Sequence, residues 1–163
     1  MSLLIDITVE SDGWGAYPSA EDWARAAISA SLPLADVAIP DEAELSILLC
    51  DDARIQELNR DFRGQDKPTN VLSFPGPAGG PGPRALGDIA IALETVEREA
   101  GAERKTVHDH FSHLVAHGLL HILGYDHETD AEAEVMEALE RRILNAMGIA
   151  DPYLSDEQDH EQK

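Results

Sequence analysis

Cysteine is almost absent from this chain. Cys50 is the single one among 163 residues, so no internal disulfide can brace the fold, and the composition suits a reducing compartment. Long apolar runs are absent as well. None approaches the roughly 18 residues of a membrane span, and Met1 to Glu10 carries no basic stretch ahead of an apolar one. The expected location is therefore the cytoplasm, with no membrane partner. Positive charge is scarce too: 12 Lys and Arg face 32 Asp and Glu, for a formal net charge of −20. That balance excludes the broad basic face of a general nucleic-acid binder. Aromatics make up 5% of the chain, too few to read Trp14, Tyr17, Tyr125 or Tyr153 as base-stacking platforms without a groove to hold them.

What is present fits one ordinary domain. Hydrophobic residues at 43% and charged residues at 27% match a globular chain that buries roughly two-thirds of its unfolded surface. Leu3 to Glu10 alternates apolar and polar side chains, as a half-buried strand does. Pro18-Ser19 opens a helix, with Ser19 and Asp22 as a capping pair and Trp23, Ala26, Ala27 and Ala30 at helical spacing. Glu44 to Cys50 reads as a strand, with Asp51-Asp52 capping a helix over 53–62. Asn70 to Phe74 reads as a strand stopped by the proline–glycine stretch Pro75 to Pro83, a loop. Leu86 to Ala92 is a further strand, in which Asp88 looks buried and in want of a partner. Helices follow over 93–100, ended by Gly101, over 106–123, ended by Gly124, and from Thr129 to about Met147, with Val135, Leu139, Ile143 and Met147 as its core stripe. The order βαβαββααα predicts an α+β fold, a small mixed sheet packed with helices in a single domain over 1–150. Residues 151–163 carry five acids and one base and read as a mobile acidic tail.

Six of the seven histidines, His108, His110, His113, His117, His121 and His127, lie within twenty residues. His117 and His121, four apart on a helix, project from one face a turn apart, and the chain can swing back at Gly124 to bring His127 to the same point. The spacing H-x3-H-x2-G-x2-H thus offers three imidazole ligands to one zinc ion per chain, at a helix end. Three protein ligands leave the fourth position of a tetrahedral ion open to water, which separates a catalytic site from a closed structural one. His108, His110 and His113 share the helix but lack a matching turn, and His160 belongs to the tail. The spacing is that of the metzincin peptidases, except that Gly118 stands where their glutamate base would be. Spacing alone therefore reaches a metal-dependent hydrolase, with a peptidase or amidase using a base from elsewhere as one alternative.

The run His117-Gly-Leu-Leu-His121-Ile-Leu-Gly124-Tyr-Asp-His127 resembles the signature of the YbeY family of bacterial metallo-endoribonucleases. The stretch from Leu58 to Pro75, which includes Arg63, Asp66-Lys67 and Asn70-Val71-Leu72-Ser73-Phe74, and the strand Leu86-Gly87-Asp88-Ile89 resemble it as well. In many relatives an aspartate is expected at the position of Asn70. The resemblance implies a zincin-like metal site with His117, His121 and His127 as ligands, and Arg63, in the helix-to-strand connection, as the catalytic and substrate-binding residue. It implies cleavage of single-stranded RNA, in maturation of the small-subunit ribosomal RNA 3′ end and in ribosome quality control, with ribosomal or assembly proteins as partners. A guanidinium suits that task, because its planar fork of donors matches phosphate oxygens. Read without the resemblance, Arg63 is a surface arginine paired with Asp61 or Asp66. Together with Arg54, Arg60 and Lys67 it forms the nearest thing here to a basic patch. A non-catalytic assembly factor braced by a structural zinc is the alternative from another class. Asp126, just before the third histidine, is placed to orient a ligand ring.

Overall fold

The computed structural model describes residues 3–76 and 84–153. The chain runs β1 (Leu3–Val9), a 3-10 turn (Asp12–Ala16), α1 (Ala20–Ser31), β2 (Ala43–Cys50), α2 (Asp52–Arg63), β3 (Val71–Pro75), β4 (Arg84–Ala92), α3 (Leu93–Ala102), α4 (Val107–Ile122) and α5 (Asp130–Ala146). The expected order holds, with the 3-10 turn as the one addition among the described residues. There the Trp14 ring is buried and its Nε1–H donates to the Cys50 carbonyl at 2.9 Å, tying the turn to the end of β2. Burial pushes the Cys50 thiol up to about 12, so it packs as a small apolar side chain. The sheet order is β1-β2-β4-β3, parallel across β1/β2 and β2/β4 and antiparallel across β4/β3. Most of the proline–glycine stretch, 77–83, lies outside the described residues, as do 154–163 with His160.

Alternation along β2 and β4 sorts side chains to the two sheet faces. Leu45, Ile47, Leu49, Ile89 and Ile91 join Ala24, Ala27 and Ile28 of α1 and Phe111, Val115 and Leu119 of α4 in the main core. On the other face Cys50, Ala90 and Ala92 lie against Ile55 of α2 and Leu72 of β3. α4 is covered a second time, since Ala116 and Leu120 pack on Met136, Leu139 and Ile143 of α5. Each fully buried leucine or isoleucine contributes about 1.5–3 kcal/mol, so this middle helix is fixed from both sides.

Several local expectations are corrected. The buried stripe of α5 is Met136, Leu139, Glu140, Ile143 and Leu144, while Val135 is exposed at 58%. One member of the observed stripe is a carboxylate, which a search for apolar periodicity passes over. Asp88 is exposed on β4. α3 continues through Gly101 to Ala102, and the reversal comes at Arg104, with φ 59°. The first residues of the acidic stretch pack against α5: Arg141 pairs with Asp151 at 3.2 Å and Tyr153 reaches Glu140.

Caps also divide. Asp51, Thr106 and Thr129 are extended, and their side chains accept from the backbone N–H of Arg54, Asp109 and Glu132 at 2.8, 3.0 and 3.1 Å. Ser19, with ψ near 5°, makes no such bond, contrary to the capping pair expected there. Thr106→Ala and Thr129→Ala should each lower unfolding free energy by about 1 kcal/mol, and Ser19→Ala by much less. Urea denaturation of the three variants measures the difference.

Candidate metal centre

The site begins with how α4 ends. The Gly124 N–H donates to the His121 carbonyl at 3.1 Å and the Tyr125 N–H to the Leu120 carbonyl at 3.0 Å. Gly124 has φ 107°, a backbone that a side chain would strain. Tyr125 packs in the same cluster as Leu120, and its hydroxyl accepts from the Asp36 N–H at 3.1 Å. Pinned in this way, the turn carries His127 back over the helix face that presents His117 and His121. The His127 ring stacks on His117 with centroids 5.8 Å apart and meets His121 edge-on at 4.9 Å.

One ring nitrogen from each of the three lies within 4.8 Å of the others. The Nε2 atoms of His117 and His121 are 3.1 Å apart, close to the separation of two ligands about 2.0–2.1 Å from one tetrahedral ion. The His117 Nδ1 is 3.0 Å from Oε1 of Glu140. An ionised carboxylate only accepts, so Nδ1 donates and the Nε2 lone pair is left for coordination. Burial, then the His117 and His127 charges, hold the His121 pKa below its ordinary value, which favours the neutral form that binds a metal. The donor set therefore fits a metal ion.

Glu140 was not singled out in the sequence, and it is the group behind the site. It is 1% exposed. Its Oε1 accepts from the His113 Nε2 at 2.8 Å as well as from His117, and its Oε2 accepts from the Tyr153 hydroxyl at 3.0 Å. Burial works to raise its pKa, but the hydrogen bonds from His113 and His117 outweigh that and hold it at about 2. Burial and the neighbouring Glu140 charge raise the Tyr153 hydroxyl. The signal in sequence was an acidic residue at a core position of α5, legible only once the rotated stripe is known.

The other histidines turn elsewhere. His110, 4% exposed, places Nε2 2.8 Å from Glu99 Oε1, and His108 places Nδ1 2.9 Å from Asp109. The Asp126 carboxylate accepts from the His127 backbone N–H at 2.7 Å, so it shapes the turn. Gly118 faces the sheet: a Cβ there would lie 3.3 Å from Cγ2 of Ile89. A side chain at this position would point at the Ile89 side chain of the core and press on it, so the place of a metzincin's glutamate is a packing position here.

The three histidines line an open cleft of about 810 Å³ together with Arg63, Asn70, Val71 and Ser73. Arg63, the last residue of α2, pairs with neither Asp61 nor Asp66, which contact Arg60 and Gln56. Its Nη2 donates to the Ser73 carbonyl at 2.6 Å, and its guanidinium carbon lies 5.2 Å from the Phe74 ring centroid. It is the only Lys or Arg among the described lining residues, and Asp126 and Glu128 share that lining. The basic patch does not form as a unit: Arg54 pairs with Glu10 and Glu57, and Arg60 with Asp61. Asn70 donates to Glu99 at 2.9 Å, a hydrogen bond that an unprotonated aspartate could not make.

His117→Ala, His121→Ala and His127→Ala should each lose bound metal by elemental analysis. Glu140→Ala should weaken metal affinity about 10- to 100-fold, read by chelator competition, while His108→Ala leaves affinity within twofold.

The family model described as Endoribonuclease YbeY matches residues 12–148. An endoribonuclease YbeY of Azorhizobium caulinodans is 55% identical over 151 residues, covering 91% of this chain and 95% of that protein. Its counterpart in Methylocella silvestris is 50% identical over 155 residues, covering 94% and 87%. Among solved structures, the solution structure of a Thermotoga maritima protein aligns with a TM-score of 0.51 at 25% identity, covering 88% of this chain and 91% of that one. With a family match spanning most of its length and relatives at half identity or better, this chain belongs to the YbeY endoribonuclease family.

Proposed function

We propose that the protein is a zinc-dependent endoribonuclease that cuts single-stranded RNA and matures the 3′ end of small-subunit ribosomal RNA. The observation that carries this reading is one cleft that combines three convergent imidazole nitrogens with an arginine that has no carboxylate partner among the described residues. In a chain of net charge −20, a guanidinium held on a carbonyl beside a candidate metal site favours an anionic substrate.

His117, His121 and His127 would hold the ion, which when bound supplies Lewis-acid polarisation of a phosphoryl oxygen or a water. Arg63 binds the phosphate whose charge grows during cleavage. The Ser73 carbonyl and the Phe74 face fix its plane, so its remaining N–H groups reach substrate oxygens without reorganisation. Glu140 holds the His117 tautomer. Asp126 and Glu128, in the cleft lining, weaken general affinity for polyanions. The substrate is then best presented on a ribosomal particle by protein partners, where a local cleft suffices. A metzincin-like peptidase would carry its base at Gly118, which faces Ile89 instead; a peptidase or amidase with a base from elsewhere is separated by whether RNA or peptide is cut.

Arg63→Leu should keep its metal and its melting temperature yet cut precursor small-subunit RNA, free or within its particle, about a hundredfold more slowly in single-turnover assays. A metal-loaded variant that cuts at the wild-type rate would return Arg63 to a surface role. A wild-type protein that cuts peptides and leaves RNA intact would overturn the endoribonuclease reading.

A further inference from the structure

β3 is an edge strand whose outer side lines the cleft. Its backbone groups can be accounted for one by one. The register pairs Val71 with Ile91, Ser73 with Ile89 and Pro75 with Gly87. At its two ends Ala92 N–H donates to the Asn70 carbonyl at 3.1 Å and Gly76 N–H to the Leu86 carbonyl at 3.0 Å. Bonded pairs alternate along an antiparallel ladder, so Leu72 and Phe74 bond to β4, while Val71, Ser73 and Pro75 turn their N–H and C=O groups outward. The Arg63 contact agrees, since it meets the Ser73 carbonyl from the cleft side.

Three of the outward groups are already engaged or missing. The Val71 N–H donates to the Asn70 side chain at 2.6 Å, the Ser73 carbonyl is taken by Arg63, and Pro75 has no N–H. One donor is left on this stretch of edge, the Ser73 N–H, which has no acceptor among the described residues. An added peptide strand would need the N–H and the C=O of Ser73 together, and Arg63 occupies the second. The pattern suits a single acceptor oxygen set beside a cation.

We infer that the Ser73 main-chain N–H and the Arg63 guanidinium form a two-armed donor for one phosphate of the bound RNA strand. The inference rests on the endoribonuclease reading and adds a binding group that no side chain supplies. The N–H and the carbonyl of an outward-facing strand residue point the same way, so the guanidinium held on that carbonyl lies alongside the N–H. Phosphate oxygens can bridge the two, in the manner of an oxyanion site made of backbone and side-chain donors. The carbonyls of Val71 and Pro75 face the same edge as acceptors, which confines the anion to Ser73.

Ser73→Pro removes this N–H without breaking the β3–β4 ladder, and Ser73→Ala removes only the hydroxyl. With both variants metal-loaded, Ser73→Pro should cut RNA about a hundredfold more slowly than Ser73→Ala. Where the proline variant does not fold, the wild-type zinc-loaded protein decides: inorganic phosphate should shift the Ser73 amide resonance, and the shift should weaken in Arg63→Leu. A folded Ser73→Pro as fast as Ser73→Ala, or a Ser73 amide unmoved at saturating phosphate, overturns the donor pair while leaving the endoribonuclease reading intact. A wild-type protein whose Ser73 amide responds to phosphate but which cuts no RNA overturns that reading and leaves the anion site standing.

Discussion

Everything at the site depends on α4 being packed on two sides at once. Its Val115 and Leu119 meet the isoleucines of the sheet, while its Ala116 and Leu120 meet α5. A helix held so has little freedom to rotate, and only a narrow strip remains for polar work. That strip carries His110, His113, His117 and His121. Gly118 lets the helix come down on the sheet, with 3.3 Å from its Cβ position to Ile89. The residue that denies the site a glutamate base is thus the same one that seats the helix.

Burial on that scale has a cost where the strip is ionic, and Glu140 offsets it. A buried carboxylate is costly alone, and here three donors share it: His113 and His117 on one oxygen and Tyr153 on the other. The arrangement ties α5 and the segment following it to the His117 ring of α4, through the nitrogen that faces away from the candidate metal site. It also makes the site sensitive to the C-terminal side of the chain, since Asp151, Pro152 and Tyr153 pack where a solvated tail was expected.

The opposite wall is built by a different rule. On β3 the ladder with β4 uses alternate residues, and what remains facing the cleft is set by parity and by neighbours. Asn70 covers one donor, Arg63 covers one acceptor and Pro75 removes a donor. The result discourages strand addition and concentrates positive charge at one point of a strongly acidic protein. A local anion site of this kind reconciles a net charge of −20 with a polyanionic substrate.

The order of elements, most caps and the three-histidine spacing were legible in the sequence, because they rest on local effects: alternation, side-chain caps at Asp51 and Thr129, and a left-handed turn at Gly124. So was the family, through the motif around His117 and the segment around Arg63. Glu140, the pairing of Asn70 with Glu99, the exposure of Asp88 and the freedom of Arg63 from Asp61 and Asp66 were not. Each depends on which face an element turns to a neighbour distant in sequence, and periodicity scores a carboxylate in a core stripe as a break in the pattern. Sequence by itself determined which residues could serve as ligands and donors. Only the tertiary structure decided which of them share one cleft, because the packing of α4, α5 and the β3 edge is set by burial summed over the whole chain.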